Sequence, residues 1–299
     1  MPSQSRGSAL KALIAAPEIL VTPGVYDGFS ARLVEKMGFK TASISGAGTS
    51  ESRLGWPDRG LMGLEDNLAN ARRIADCTDL LLQADADTGY GNALNVYFVV
   101  QAFEKAGMAA VMIEDQVWPK RCGHMAGKAV IGTAEMVDKI KAAVDARRDS
   151  SFVIKARTDA AEPLGIEEAI DRLNRYAEAG ADCLFADALH SLEDIRKVAR
   201  SVLKPLSVNM GLGIRQRQTT PLVSPGTLKD AGVAQVTYPR LLSAAALKGM
   251  TNAMEVFMAD VVQNNRVVDR PDLSASFDEI NDLMGMAFLD ELERRYAAR

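Results

Sequence analysis

Short, mostly apolar runs recur along the chain, separated by longer stretches in which apolar positions return every three or four residues. The short runs are ILVTPG (19–24), TASISG (41–46), LLLQADAD (80–87), AAVMIED (109–115), FVIKARTD (152–159), DCLFADA (182–188), LSVN (206–209) and AQVTYP (234–239). Their length and β-branched content predict strands. Between them, LEDNLANARRIADC, NVYFVVQAFEKAG, AEMVDKIKAAVDARRD and IEEAIDRLNRYAEAG have helical spacing, and several end in Ala-Gly, a helix stop. Strands that are nearly all apolar must be buried on both faces, which alternating helices achieve for a parallel sheet. Eight of them predict an α/β fold of the (β/α)8 TIM-barrel type. An open doubly wound sheet is the alternative, but no G-x-G-x-x-G follows the first strand. No boundary or repeat interrupts the pattern, so residues 1–299 read as a single barrel domain. From about residue 240 the chain carries extra C-terminal helices, Met- and Leu-rich at helical spacing, a pattern of core or subunit interface.

The predicted strands finish in polar groups: Ser45-Gly46, Asp85 and Asp87, Glu114-Asp115, Arg157 and Asp159, Asp187, and Asn209. In a barrel these ends converge on one face, the face that carries barrel active sites. Strand alternation places Asp85 and Asp87 on one side. With Glu114 they make three hard oxygen donors, a set suited to Mg²⁺ with retained waters. No His or Cys accompanies them, which argues against a softer ion. Each Asp taken alone reads as well as a turn cap or a salt-bridge partner. Arg157 is suited to grip a substrate carboxylate in a bidentate fork; an ion pair with Asp159 or Asp187 is its structural alternative. The loop SISGAGTS (43–50) offers backbone N–H groups to an oxyanion.

Charge and cysteine content narrow the class. The 299 residues are 47 % hydrophobic and 25 % charged with net charge −4, an ordinary soluble composition with no basic run for nucleic acid. Three cysteines, widely spaced and odd in number, imply no disulfide framework and fit a cytoplasmic location. No signal-peptide pattern or membrane-length apolar run is expected from the sequence. Against this sparing use of thiols and of two histidines, KRCGHMAGKA (120–129) places Cys122 and His124 two positions apart. Structural zinc would need a second ligand pair, which the sequence lacks. Lys120, Arg121 and His124 instead favour acid–base behaviour of the thiol, and the glycines suit a loop that opens and closes.

PGVYDGFSARL, SISGAG, LGWPDRG, DADTGYGNA, IEDQVWPKRCGHMAGKAVI, IKARTDA and AGADCLFADA, in that order over residues 15 to 240, resemble the isocitrate lyase/phosphoenolpyruvate mutase superfamily. The resemblance implies a Mg²⁺-dependent barrel, with Mn²⁺ as the other candidate ion, acting on a small carboxylate. It makes Asp85, Asp87 and Glu114 the metal carboxylates, largely through waters, with Asp58 further out. Ser45, Gly46 and Ala47 become the backbone cradle for an α-keto acid carboxylate and Arg157 a cation at the same group. The KRCGH loop matches the gating loop of the carbon–carbon lyases, with Cys122 as acid/base, Gly123 and His124 at the departing carboxylate, and Lys120 nearby. The implied reaction is cleavage of a 2-hydroxy di- or tricarboxylate, 2-methylisocitrate or 2,3-dimethylmalate-like, to an α-keto acid such as pyruvate. The alternatives are a phosphorus–carbon bond mutase and a non-catalytic ligand-binding relative. Two departures fall where the variable end of the substrate belongs: Asp187 stands where the lyases usually have Glu, and NMGLGIRQRQTTP (209–221) keeps Asn209 but has Leu212 at a usual Glu position. The family also implies a homotetramer built through the C-terminal helices, with no nucleic-acid or membrane partner.

Overall fold

The computed structural model describes residues 5–123, 127–212 and 220–297. Eight parallel strands form where the apolar runs lie: β1 (Leu20–Val25), β2 (Thr41–Ile44), β3 (Leu81–Asp85), β4 (Ala110–Glu114), β5 (Val153–Thr158), β6 (Cys183–Ala186), β7 (Leu206–Asn209) and β8 (Gln235–Tyr238). They pair in sequence order and close through β1 and β8, so the barrel leaves no sheet edge. Strands β3, β4 and β5 end on Asp85, Glu114 and Thr158, and the last acidic residue of each run, Asp87, Asp115 and Asp159, falls just beyond in a loop, as Asp187 does after β6.

The outer faces of the strands pack on the helices. In the helix Ile166–Glu178, Ala169, Ile170, Leu173, Tyr176 and Ala177 are buried, a stripe at helical spacing facing the sheet. Asp27 caps the helix Gly28–Lys36 and Asn92 caps Ala93–Lys105, each accepting from backbone N–H groups of the first turn. Val25, Ile44, Leu82, Val111, Ile113, Ile154, Leu184, Val208 and Val236 belong to this strand–helix core.

The barrel interior differs from that apolar core. Thr22, Thr41, Gln83, Lys155 and Gln235 are buried inside it and hydrogen-bond to one another. Burial on both faces of the strands therefore does not mean an apolar side chain on both faces. The polar positions inside the runs, such as Gln83 in LLLQAD, are the inward ones.

After β8 the chain forms helices Leu241–Val256, Phe257–Gln263 (a wider helical turn), Phe277–Met284 and Met286–Tyr296. None has a buried residue, and Met254, Phe277 and Phe288 are exposed. Lys36 pairs with Asp282 at 2.5 Å, tying the extension to the second helix of the barrel wall. Among the described residues no helix is long and apolar enough to cross a membrane.

Candidate active site

The strand ends do converge. Ser45, Gly46, Ala47, Asp58, Asp85, Lys120, Cys122, Gly123, Arg157 and Asn209 line one cavity at the C-terminal face. Asp87, Glu114 and Asp187 stand around it, buried. His124 lies outside the described residues, as does the Arg215–Gln216–Arg217 segment.

Asp85 and Asp87 meet, though not by strand alternation. The strand ends at Asp85, and Asp87 has φ 49°, in the left-handed region. The turn, not the pleat, brings them together: the Asp87 N–H donates to Asp85 Oδ1 at 3.0 Å. Asn67 fixes this strand end by donating to the Asp85 carbonyl at 2.6 Å. A side chain at Gly46 would place its Cβ 2.9 Å from Asp85 Oδ2 and 3.6 Å from Asp87 Oδ1, so the loop after β2 lies directly against the pair.

Lys120 crosses from the loop after β4 and sets its Nζ 2.7 Å from Asp87 Oδ1 and 2.6 Å from Asp58 Oδ1. Burial pushes the Asp87 carboxyl up to about 7, against the pull of Lys120. Burial opposes the charge on Lys120 as well, but Asp87 and Asp58 outweigh it and hold the ammonium protonated. Glu114 is likewise pushed up by burial, with Arg157 acting against it. Asp87 Oδ2 and Glu114 Oε1 are buried and accept no hydrogen bond, which is costly for carboxylate oxygens. Among the described residues no three His, Cys, Asp or Glu side chains converge closely enough to chelate an ion unaided. Uncommitted oxygens on separated carboxylates fit a Mg²⁺ ion held partly through water.

Arg157 is committed more deeply than a free substrate anchor. Its Nε and Nη2 form a fork on Asp159 at 2.8 and 2.9 Å, Nη2 reaches Asp187 at 2.6 Å, and Nε lies 3.2 Å from Glu114. The guanidinium stacks over Phe185 at 5.3 Å. The ion-pair alternative is thus realised, and the same group still lines the cavity. Asp115 faces outward, accepting from Thr158 at 2.6 Å and Tyr176 at 2.8 Å, and anchors β4 and β5 rather than serving the site.

The loop carrying Cys122 is folded down onto this floor. Gln116 clamps the Arg121 backbone, accepting from its N–H at 3.0 Å and donating to its carbonyl at 2.9 Å. The Cys122 N–H donates to the Asp58 carbonyl at 3.2 Å. Lys128 donates to the Gly123 carbonyl at 2.9 Å while pairing with Asp159 at 3.0 Å. A Cβ at Gly123 would fall 2.7 Å from Arg157 Nη2. Asn209 accepts from the Thr237 hydroxyl.

Arg240, Lys128 and Lys155 are charged groups of this region that the sequence reading did not single out. Arg240 follows β8 directly, lines the cavity, pairs with Glu51 at 2.5 Å, and is close enough to Cys122 for the two to interact electrostatically. The criterion that found Asp85 and Arg157, a charged residue at a strand end, applies equally to it.

Residues 10–258 match the family model described as phosphoenolpyruvate phosphomutase. The chain is 37 % identical to 2,3-dimethylmalate lyase of Eubacterium barkeri, over 96 % of this chain and 97 % of that one. It is 40 % identical to 2-methylisocitrate lyase of Shewanella oneidensis, over 99 % of each. Among solved structures it is similar to oxaloacetate acetylhydrolase bound to 3,3-difluorooxalacetate, with TM-score 0.90, 32 % identity and coverage of 99 % and 98 % of the two chains. It is also similar to phosphonopyruvate hydrolase in complex with oxalate and Mg++, with TM-score 0.85, 28 % identity and coverage of 99 % and 100 %. The protein belongs to the isocitrate lyase/phosphoenolpyruvate mutase superfamily, on the side of its carbon–carbon lyases.

Proposed function

We propose that the protein is a Mg²⁺-dependent lyase that splits a 2-hydroxy di- or tricarboxylate into an α-keto acid, such as pyruvate, and a second carboxylate. The observation that carries this reading is that Cys122 and Gly123 line the same cavity as Asp85 and Arg157. A thiol at that position can protonate the carbon that departs. The substrate hydroxyl loses its proton to water in the cavity, which later returns a proton to the Cys122 sulfur; the hydroxyl's C–O bond becomes a carbonyl, and the C2–C3 bond breaks. The electron pair goes to C3, stabilised by its carboxylate, and the Cys122 thiol delivers a proton there. One O–H and one C–C bond are exchanged for a carbonyl and one C–H.

Asp85, Asp87, Glu114 and, further out, Asp58 would hold Mg²⁺ largely through water; bound there, it supplies Lewis-acid stabilisation of negative oxygen. Lys120 balances Asp87 and Asp58 and keeps the acidic cluster compact. Arg157, gripped by Asp159 and Asp187, gives a fixed positive edge to the cavity. Gly46 and Ala47, at the start of the short helix Gly46–Thr49, would cradle the α-keto acid carboxylate through backbone N–H groups; the Ser45 N–H is already donated to the Val25 carbonyl at 2.8 Å, which leaves Ser45 to line the cavity with its side chain. The substrate is a 2,3-dimethylmalate-like acid or a tricarboxylate such as 2-methylisocitrate, and keto-acid release from each tells them apart.

The exposed apolar side chains of the C-terminal helices are suited to burial against further copies of the chain in a homotetramer. None of the three thiols is in a disulfide, which supports a cytoplasmic setting.

The test is α-keto acid release from a panel of 2-hydroxy di- and tricarboxylates, run with Mg²⁺, with EDTA and with Cys122→Ser. Release that needs Mg²⁺ and falls by about 10²- to 10⁴-fold in the variant supports the lyase. Conversion of a phosphonate or carboxyphosphonate substrate, with no release from any hydroxy acid, would replace it with the mutase reading.

A further inference from the structure

Beneath the residues so far assigned, the cavity has a charged floor. Lys155 precedes Arg157 by two residues on β5, so both side chains point into the barrel. Lys155, Gln83, Ala110 and Met112 line the same cavity as Asp85, Arg157, Ser45 and Cys122 above them. The Lys155 Nζ donates to Gln83 Oε1 at 2.8 Å and to Gln235 Oε1 at 2.6 Å. Gln235 passes the chain on to Thr22 at 2.8 Å and to Gln83 at 3.1 Å, and Gln83 to Thr41 at 3.0 Å. Every partner in this network is neutral.

That sets Lys155 apart from the other buried cations of the site. Lys120, Lys128 and Arg157 all touch carboxylates, at 2.6, 3.0 and 2.6 Å respectively. Among the described residues Lys155 has amide partners alone, and its side chain is buried. Burial holds its pKa below the ordinary lysine value, with Cys183 beside it in register and Asp85 above acting weakly the other way. An ammonium buried without a counter-ion is unfavourable, and an anion admitted to the cavity removes that penalty. Two amide carbonyls use two of its three donors, leaving one for a ligand.

We propose that Lys155 is a substrate-binding residue: the floor cation that receives an oxyanion of a short dianionic acid and selects such acids over monoanions. The inference rests on reading the cavity as the site of a hydroxy acid or its keto-acid product, and is independent of whether the bound acid is cleaved.

Oxalate serves as a probe that binds without turning over. Its affinity, and that of the monoanion oxamate, would be measured calorimetrically with Mg²⁺ present throughout, for the wild type, Lys155→Gln and Lys155→Met. The expected result is oxalate affinity at least about tenfold weaker in both variants, from loss of one charge-assisted hydrogen bond, with oxamate changed less. The melting midpoint of the unliganded variants should be unchanged or higher, since an unpaired buried charge has been removed. A role confined to holding the interior together predicts the opposite, a lower midpoint with oxalate binding unaltered, and that result overturns the proposal. So does a wild type that fails to bind oxalate. If neither variant folds, the wild type crystallised with oxalate decides. An oxalate oxygen bonded to Nζ, directly or through one water, supports the assignment, and Nζ bonded only to Gln83 and Gln235 refutes it. Wild type that binds oxalate yet releases no keto acid from any substrate would sink the lyase reading and leave this one standing.

Discussion

A side-chain carbon at Gly123 would lie 1.6 Å from Asp187 Oδ2, closer than any non-bonded pair can approach. The loop that carries Cys122 therefore rests backbone-first on the Arg157–Asp187 ion pair, and only glycine allows that contact. The absence of a side chain is what lets the thiol of the preceding residue reach the cavity.

Gly123→Ala should accordingly lift the loop without unfolding the barrel. We expect kcat/KM to fall by about 10²-fold or more, the scale of a 1 Å misplacement of a catalytic group. The melting midpoint should hold, and trypsin should cut faster after Arg121. An active, protease-resistant Gly123→Ala would show that the loop does not need this seat.

Lys120 is the counter-charge of two buried carboxylates, so its removal leaves both uncompensated. Lys120→Met should destabilise the protein by about 3–5 kcal/mol in the absence of divalent cation. Urea denaturation with and without Mg²⁺ checks it. A loss below about 1 kcal/mol would mean that Asp87 simply takes up a proton instead, as its raised pKa permits.

Mg²⁺ should stabilise the folded chain by mass action, by about 2.7 kcal/mol at a hundred times its dissociation constant. Asp85→Asn and Glu114→Gln should each abolish most of the resulting thermal shift. A shift that survives both substitutions would place the ion elsewhere.

Asp159 gives the pH dependence its sign. Burial works to raise its pKa, but Arg157 and Lys128 outweigh burial and hold it below the ordinary carboxylate value. A depressed native pKa contributes stability that is complete above the unfolded value, about 4, and is lost as pH falls towards the native one. The wild type should therefore lose melting temperature more steeply below about pH 4 than Asp159→Asn does. Parallel curves for the two proteins would show that Asp159 carries no such linkage.

By itself the sequence determined the barrel and pointed to several of the residues that line its cavity. Apolar runs long enough for strands, separated by amphipathic helices, leave few ways to bury both faces, and closure into eight parallel strands is one of them. Asp85, Glu114, Arg157 and Asn209 were legible because they end strands, and all strand ends of a barrel meet on one face. The tertiary structure alone decided what each charge touches. Asp87 joins Asp85 through a left-handed turn that no alternation rule foresees. Arg157 is shared among Asp159, Asp187 and Glu114, contacts made by strands and loops far apart in sequence. Gln83, Lys155 and Gln235 sit inside runs that read as apolar, and only barrel closure shows that they face inward and meet. Pattern along a chain reports whether a residue is buried; which ionic partner it is buried with depends on distances that only the closed fold sets.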